Sequence, residues 1–301
     1  MDYLGIPTIA GCLPPPNVMH PTAARTRFAL AGLDIDDTLL GPDWRISAEN
    51  AAAVRELRRR GVHVVLASGR SHANMLRFHR ELGLDDGPIV SAQGAVVRPA
   101  SGGAPWLERT IVPALAAHVT RDGLARGFAV QHYRGDEILV QGQSTWTAWD
   151  QSRNDAPHVV VDDLLADGAA GVTKIIWLGE PAAIAASAID APAAYAGTLT
   201  VTPTDPPYLE FYDARASKAS ALAVVAERLG VTREQVLAFG DGNNDAPMLA
   251  WAGLGVAMDH AKPAAREAAR LVAPAGDPES SLARAVRLAL GTPVLEPSHG
   301  A

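Results

Sequence analysis

The segment "GLDIDDTLLG", residues 32–41, places three carboxylates within four positions, directly after an apolar run. That run, "FALAGLDI", is too short for a helix and is typical of a strand buried on both faces. The carboxylates of Asp34, Asp36 and Asp37 repel one another, so their clustering needs a reason. One interpretation is a solvated acidic turn, since Asp is a common turn former. The other is a site where a cation or an electrophile meets these side chains.

The residues that follow alternate between amphipathic helices and short apolar runs. Ser47 can cap the helix "AENAAAVRELRRR", whose apolar residues recur at helical spacing. The strand "VHVVLA", the helix "SHANMLRFHREL" and the strand "GPIVSA" come next, in that order. Strands that alternate with helices are typical of a parallel sheet. The sequence therefore predicts an α/β fold with a doubly wound, Rossmann-like parallel sheet.

The pattern changes in the middle of the chain, where strands outnumber helices. Five runs are typical of strands, namely "WLERTIV", "FAVQHYRG", "DEILVQG", "VTKIIWLG" and "TLTVTP". Helices are predicted near residues 113–126 and 181–189, and the combination favours an α+β insert with an antiparallel sheet. The helix "SKASALAVVAERLG" and the strand "VLAF" then resume the first pattern. A second unit therefore interrupts the first.

These patterns divide the chain into four segments. We predict a core over residues 26–92 and 208–301, an inserted α+β domain over 93–207, and a flexible tail over 1–25. The tail is rich in proline and lacks a basic leader followed by a sustained apolar segment. It is therefore not typical of a signal peptide.

Composition excludes several classes of protein. The chain is 48% hydrophobic and 20% charged, which is ample for a buried core. Its formal charge of −7 argues against a nucleic-acid-binding protein, which needs a basic surface. No apolar stretch is long enough to span a bilayer. Cys12 is the single cysteine, so we expect no internal disulfide, a reducing compartment and a cytoplasmic location.

Four polar stretches fall where predicted strands end or where a helix begins. They are "DIDDT", "SGR", "SK" and "GDGNND". Ligands of open α/β sheets bind beyond the carboxyl ends of the strands, so we expect these stretches to meet in one crevice. Each also has a plain interpretation: an acidic turn, an ordinary turn, a solvated lysine and a polar loop. Lys218 opposes the dipole of the helix it begins, which favours a bound anion at that helix start.

The stretches "DIDDTLL", "VVLASGR", "SKASAL" and "GDGNNDAPML" resemble, in order and spacing, the four motifs of the haloacid dehalogenase (HAD) superfamily. The insert between the second and third motifs resembles the cap domain of the Cof-type phosphatases, which act on small molecules. The resemblance covers about residues 27 to 290. It implies a magnesium-dependent phosphatase that hydrolyses the phosphomonoester of a small metabolite through an aspartyl-phosphate intermediate.

The resemblance also implies a role for each matching residue. Asp34 is the expected nucleophile, and Asp36 is the expected general acid and base. The residues expected to bind phosphate or substrate are Ser68, Gly69, Gln93, Lys218 and Asn244. The expected Mg²⁺ ligands are Asp34, Asp241 and the main-chain carbonyl of Asp36. Asn244 and Asp245 are expected to complete the outer shell, through water or by orienting Lys218.

Elementary electrostatics supports these roles independently. A carboxylate that attacks a phosphate dianion meets a repulsion of about 4 kcal/mol per pair of unit charges at contact distance, in an effective dielectric of about 20. A metal ion, Lys218 and backbone amides can offset this repulsion. Asp36 can protonate the leaving alkoxide and later deprotonate water. The Ser68 hydroxyl can donate to the transferring oxygens without adding negative charge.

Two positions depart from the family pattern. Asp37 stands where the family usually has glycine, and we interpret it as structural. Gln93, in "AQGA", stands where the Cof-type pattern usually has asparagine. It offers the same amide on a longer side chain. This second departure bears on the class of substrate more than on the type of reaction.

The insert is expected to select among leaving groups. "QHYRGDEI" resembles a hairpin around Gly135 and Asp136 and projects His132, Tyr133 and Arg134 near its end. Among these, His132 and Arg134 are the candidates for contacting the substrate. An exposed turn with solvated side chains is the alternative. Sugar phosphates, pyridoxal phosphate and flavin mononucleotide all suit a capped site of this type. Phosphomutase-type transfer and a catalytically silent binding protein with the same fold remain alternative functions, whereas the second Asp and the metal site disfavour halide release.

Overall fold

The structure is a computed structural model that describes residues 27–153, 157–166 and 169–291. The predicted tail over 1–25 and Cys12 lie outside the described residues. The strands are β1 (Leu30–Leu33), β2 (His63–Leu66), β3 (Pro88–Ser91), β4 (Val96–Pro99), β5 (Leu107–Glu108), β6 (Ala129–Arg134), β7 (Glu137–Gln141), β8 (His158–Val161), β9 (Val172–Leu178), β10 (Leu199–Pro203), β11 (Tyr208–Asp213), β12 (Val236–Gly240), β13 (Leu254–Ala257) and β14 (Leu271–Val272). The helices are α1 (Ala48–Arg59), α2 (His72–Glu81), α3 (Pro113–Ala125), α4 (Thr145–Gln151), α5 (Pro181–Ala194), α6 (Lys218–Arg228), α7 (Ala246–Trp251), α8 (Pro263–Ala268) and α9 (Ser281–Ala289).

Five parallel strands form the first sheet, in the order β14-β13-β12-β1-β2. Every residue of β1 is buried, as expected for a parallel strand covered on both faces. Helix α1 packs against α9, and α7 packs against both α6 and α8. The Ser47 hydroxyl accepts a hydrogen bond from the Asn50 amide at the start of α1, as predicted. The predicted α/β fold with a doubly wound parallel sheet is confirmed.

Strand β3 behaves differently from the prediction of a third parallel strand. It pairs antiparallel with β4 and touches the end of β2 through one parallel bridge, between Ala67 and Val90. The chain reverses at Gln93 and Gly94, whose φ angles of 60° and 87° are in the left-handed region. The reversal starts β4, which was not predicted, and completes a small antiparallel sheet of β3, β4 and β5.

Six strands form the second large sheet, in the order β10-β11-β9-β6-β7-β8. All its pairs are antiparallel except the parallel pair β7–β8. Helix α3 packs on β6 and β9, and α5 packs on β10 and β11. Tyr133, Ile176 and Tyr208 belong to a separate apolar cluster with Trp146 and Trp149, on the face away from α3. We call the part of the chain that carries this sheet, residues 111–213, the six-stranded unit.

The predicted boundaries of the insert differ from the division between the sheets. Strand β11 pairs with β9 and β10, so the six-stranded unit extends to Asp213 and not to 207. Strand β4 pairs with β3, β5 pairs with β4, and Val97 joins the core of the parallel sheet, so the unit begins after Glu108 and not at 93. Strands β8 and β11 were both missed. Strand β11, "YLEFYD", is buried at every position. The charged Glu210 in its middle is not typical of a buried strand, and for that reason the sequence pattern did not reveal it.

A search of the described residues for a helix both long and apolar enough to cross a bilayer finds no candidate.

Candidate active site

Three loops at the carboxyl ends of β1, β2 and β12 supply most of the predicted site residues. Asp34 follows β1, Ser68 follows β2 and Asp241 follows β12. Because the three strands are parallel and neighbouring, their loops meet at one edge of the sheet. Lys218 joins them from the first position of α6, where the Ser217 hydroxyl caps the helix by accepting from the Ser220 amide.

Lys218 is buried between two carboxylates. Its Nζ lies 2.5 Å from Asp34 Oδ1 and 2.6 Å from Asp245 Oδ1. Burial alone would favour the neutral amine, but Asp245 and Asp34 outweigh it and raise the pKa of Lys218 above its usual value. Lys218 is therefore a permanent cation in the floor of the site, where an anionic substrate needs one.

The two carboxylates that would hold a metal carry unfavourable charge. Burial and then the Asp245 charge raise the pKa of Asp34 well above its usual value. The same two causes raise the pKa of Asp241 to about 6, although the Thr38 hydroxyl donates to its Oδ1 at 2.9 Å. Oxygen atoms of Asp34, Asp241 and Asp245 lie within 4.8 Å of one another. Three hard oxygen donors facing one lysine fit a divalent cation such as Mg²⁺.

Asp245 already has partners for both of its oxygens. Its Oδ1 accepts from Lys218, and its Oδ2 accepts from the amides of Asp241 and Gly242 at 3.0 and 2.8 Å. This geometry suits a carboxylate that orients Lys218 and the loop, which is the role predicted for Asp245. It leaves Asp34 and Asp241 as the pair better placed to contact a metal directly.

Arg70 donates hydrogen bonds to both carboxylate oxygens of Asp36. Its Nη2 lies 2.7 Å from Asp36 Oδ1, and its Nε lies 3.0 Å from Oδ2. A two-point contact of this kind fixes the carboxylate's orientation as well as its position. Sequence reasoning assigned roles to Ser68 and Gly69 but none to Arg70. The available signal was the third residue of "SGR", a cation that follows directly on two predicted phosphate-binding residues.

Gln93 and Asn244 lie side by side at the edge of the site. Asn244 Nδ2 donates to Gln93 Oε1 at 2.9 Å, and Gln93 Nε2 donates to Glu210 Oε2 at 2.7 Å. A Cβ at Gly69 would come within 2.4 Å of Gln93 Nε2, so only glycine fits there without a shift. Asp37 has φ 57°, a left-handed conformation that glycine and Asp tolerate, which accords with its structural interpretation.

The six-stranded unit closes one side of the cavity. The residues it contributes to the lining include Tyr133, Asp150, Arg153, Lys174, Ile176, Tyr208 and Glu210. Lys174 and Glu210 were not predicted. A charge inside an otherwise apolar strand was the signal that could have revealed them, because buried charges need partners.

The placement of His132 contradicts its predicted role in contacting substrate. His132 is buried, pairs with Leu139 inside the hairpin and hydrogen bonds Thr120 Oγ1 of α3 at 2.7 Å. Side chains alternate along a strand, so Tyr133 faces the cavity, while His132 and Arg134 lie on the other face and outside the lining. Arg134 is the last residue of β6, and its role in contacting substrate stays a prediction. The hairpin turns at Gly135 and Asp136, as predicted.

Comparisons with known proteins agree with this fold. A family profile described as haloacid dehalogenase-like hydrolase matches residues 32–286. Within solved structures, a haloacid dehalogenase-like hydrolase from Bacteroides thetaiotaomicron superposes with a TM-score of 0.78 at 26% identity, covering 87% of this chain and 99% of the other. The chain therefore belongs to the haloacid dehalogenase-like hydrolases, and the predicted resemblance is confirmed.

Two curated relatives cover most of the chain. A 5-amino-6-(5-phospho-D-ribitylamino)uracil phosphatase of Bacillus subtilis is 26% identical and covers 86% of this chain and 94% of the relative. An HMP-PP phosphatase of Serratia proteamaculans is 28% identical and covers 78% of this chain and 85% of the relative. Both names describe enzymes that remove phosphate from small molecules.

Proposed function

We propose that this protein is a Mg²⁺-dependent phosphatase that hydrolyses a phosphomonoester of a small metabolite through a phosphorylated Asp34. The observation that carries the proposal is the buried contact of Lys218 with both Asp34 and Asp245, at 2.5 and 2.6 Å, beside Asp241. This contact supports the proposal, because nucleophilic attack on a phosphate needs a carboxylate, a fixed cation and a metal-binding group close together. The names of the two curated relatives support the same reaction class.

Asp34, Asp241 and the main-chain carbonyl of Asp36 would hold Mg²⁺. When bound, Mg²⁺ supplies positive charge that offsets the repulsion between the Asp34 carboxylate and an incoming phosphate. That charge would also keep Asp34 ionised despite its burial, and an ionised carboxylate is what nucleophilic attack needs.

The reaction divides into two displacements. In the first, an Asp34 oxygen bonds to phosphorus, the bond from phosphorus to the leaving oxygen breaks, and Asp36 gives its proton to that oxygen. In the second, Asp36 takes a proton from water, the water oxygen bonds to phosphorus, and the bond to Asp34 breaks. Inorganic phosphate and the free alcohol are the products, and both carboxylates return to their starting states.

Three further groups serve the transferring phosphoryl group. Lys218 neutralises its charge, and Asp245 prevents Lys218 from moving away. Ser68, buried at the end of β2, can donate its hydroxyl hydrogen to a phosphoryl oxygen. Arg70 fixes the orientation of the Asp36 carboxylate, the expected general acid and base.

Phosphate release by the full chain tests this proposal. The purified protein with Mg²⁺ is assayed on sugar phosphates, pyridoxal phosphate, flavin mononucleotide, and the substrates for which the two relatives are named, without any bisphosphate activator. Release from at least one ester, lost in Asp34→Asn, is the expected result. No release from any ester by a folded, Mg²⁺-loaded parent would contradict the proposal. Transfer to a second hydroxyl that requires a bisphosphate would indicate a phosphomutase.

A further inference from the structure

A continuous chain of hydrogen bonds runs from the loop after β12 to the loop after β2, by way of the six-stranded unit. Asn244 Nδ2 donates to Gln93 Oε1 at 2.9 Å, and Gln93 Nε2 donates to Glu210 Oε2 at 2.7 Å. Lys174 Nζ donates to Glu210 Oε1 at 2.9 Å and to the Gly69 carbonyl at 2.7 Å. The two ends of this chain lie in the proposed phosphate-binding loops, and its middle lies on β9 and β11.

The Lys174–Glu210 pair is buried, with side chains 2% and 7% exposed. A buried ion pair is weak evidence for stability, because removing two charges from water offsets most of their attraction. A contribution to stability is therefore a weak explanation for the pair. Each member instead makes its second hydrogen bond to the other side of the cavity, Lys174 to the Gly69 carbonyl and Glu210 to the Gln93 amide.

The residues that receive these bonds are held in unusual positions. Gln93 has φ 60°, which is uncommon for a residue with a side chain. The next residue, Gly94, packs so closely that a Cβ there would come within 2.2 Å of the Ser217 carbonyl oxygen, at the start of α6. The turn at Gln93 thus touches the Gly69 loop on one side and the helix that carries Lys218 on the other. A small shift of this turn would move several phosphate-binding groups together.

We propose that Lys174 and Glu210 are positioning residues that complete the phosphate site when the six-stranded unit is seated over the parallel sheet. Lys174 sets the Gly69 carbonyl, and with it the neighbouring Ser68. Glu210 sets the Gln93 amide, and with it Asn244. This inference rests on the proposed phosphatase function. It gives the six-stranded unit a role in positioning the phosphate-binding loops, separate from any contact with the leaving group.

The two roles give different patterns across substrates. Residues that contact a leaving group change the ranking of substrates when they are replaced. Lys174 and Glu210 form hydrogen bonds with the loops proposed to bind phosphate, which is common to all substrates. Their loss is therefore expected to lower the turnover of every substrate by a similar factor. A misplacement of about 1 Å in such a site can cost about a hundredfold in rate. We therefore expect kcat to fall by about tenfold to a hundredfold, with smaller changes in KM.

Lys174→Met and Glu210→Gln are the test variants, assayed as full chains with Mg²⁺ on p-nitrophenyl phosphate and on at least two larger esters. Thr173→Val is the matched control. Thr173 neighbours Lys174 on β9, is equally buried and donates to the Tyr133 carbonyl at 3.0 Å, within the unit. The control should stay close to the parent. A change of ranking among substrates, or activity equal to the control, would overturn the inference.

A double-mutant cycle tests whether Glu210 acts through Gln93. If it does, Glu210→Gln combined with Gln93→Met should be no slower than the slower single variant. Additive losses would show that Glu210 acts by another route. Lys174→Met leaves a buried charge unpaired, so Lys174→Met/Glu210→Gln, which removes both charges, is measured beside it. This double variant should fold and still show the uniform loss of kcat.

Two measurements separate this inference from the proposed function. Amide hydrogen exchange across residues 68–70 should be faster in Lys174→Met than in Thr173→Val, and the affinity for inorganic phosphate should fall. Equal exchange and equal phosphate affinity in the two variants would overturn the inference without any reference to turnover. An inactive parent would refute the phosphatase function. An active parent with an inactive Asp34→Asn and a fully active Lys174→Met would refute the positioning role alone.

Discussion

Replacing Lys218 with methionine is the sharpest test of the charge arrangement in the site. The change keeps the length of the side chain and removes a cation that lies 2.5 Å from Asp34 and 2.6 Å from Asp245. In an effective dielectric of about 20, two unit charges at such a distance attract by about 7 kcal/mol, most of which is offset by desolvation. Breaking a buried pair from one side typically costs about 3–5 kcal/mol, because the remaining charge stays unpaired.

The expected result for Lys218→Met is therefore a loss of about 3–5 kcal/mol in the free energy of unfolding of the metal-free protein. Urea denaturation of parent and variant measures it. Mg²⁺ should stabilise the variant more than the parent, since the divalent charge replaces part of what was removed. Turnover should fall by at least about a hundredfold, as is typical when a charge-stabilising group is lost.

Lys262→Met supplies the control for that experiment. Lys262 lines the same cavity but is exposed, so its loss should change the free energy of unfolding by at most about 0.5 kcal/mol. If Lys218→Met unfolded at the same urea concentration as Lys262→Met and kept turnover within tenfold of the parent, the buried cation would have neither of the roles we give it.

Asp34→Asn should abolish turnover with little loss of stability, because the amide keeps the volume of the side chain and relieves its repulsion with neighbouring carboxylates; phosphate release near the parent's rate would rule out Asp34 as nucleophile. Asp36→Asn should cost at least about a hundredfold in kcat, the usual contribution of a general acid and base, and a smaller loss would argue against that role. Chelation with dialysis should stop turnover, and Mg²⁺ should restore it better than Ca²⁺, which relaxes to higher coordination; full activity in excess chelator would exclude a metal. Burial lowers the pKa of His72 and of His132 to about 4, so their contribution to stability is complete above pH 6.5 and is lost as the pH falls towards 4. Urea titrations across that range should show a shallower pH dependence in His132→Gln, and an unchanged slope would contradict the assignment.

The core of the site could be predicted because its residues belong to short segments with their own local signals. Each of Asp34, Ser68 and Asp241 follows an apolar strand, and parallel strands bring such loops together whatever the rest of the chain does. Lys218 could be recognised by a different signal. It is a cation at the first position of a helix, where the helix dipole disfavours positive charge. These inferences needed only the order of strands and helices along the chain.

The wall of the cavity could not be predicted in this way, because its residues come from distant strands whose register is set by tertiary packing. The hairpin and its turn at Gly135 and Asp136 were predicted correctly, but not which side chains face the cavity. Side chains alternate along the strand, so Tyr133 faces the cavity while His132 is buried against α3. Lys174 and Glu210 are single charges in apolar strands. Their partners, Gly69 and Gln93, lie more than a hundred residues away in the sequence.

The distribution of charge in the cavity indicates where a metal would bind. Each of three cations holds a carboxylate that would otherwise be unpaired: Arg70 holds Asp36, Lys174 holds Glu210, and Lys218 is shared between Asp34 and Asp245. Asp241 makes no ion pair within the described part of the chain, and its pKa is raised to about 6 by burial and by Asp245.

The uncompensated negative charge is thus concentrated between Asp34 and Asp241. Asp34 shares Lys218 with Asp245, and Asp241 has no cationic partner in the described part of the chain. A divalent cation placed there would remove the repulsion that raises both pKa values, without displacing any of the three existing pairs. Asp241→Asn should therefore stabilise the metal-free protein at pH 7 by at most about 3 kcal/mol, the free energy of a shift of about two pKa units. The same change should weaken Mg²⁺ binding and stop turnover. Thermal unfolding in chelator measures the first effect and calorimetric titration with Mg²⁺ the second. A variant that is less stable than the parent without metal, yet binds Mg²⁺ equally well, would contradict this. It would show that the Asp241 charge neither destabilises the metal-free protein nor contributes to Mg²⁺ binding.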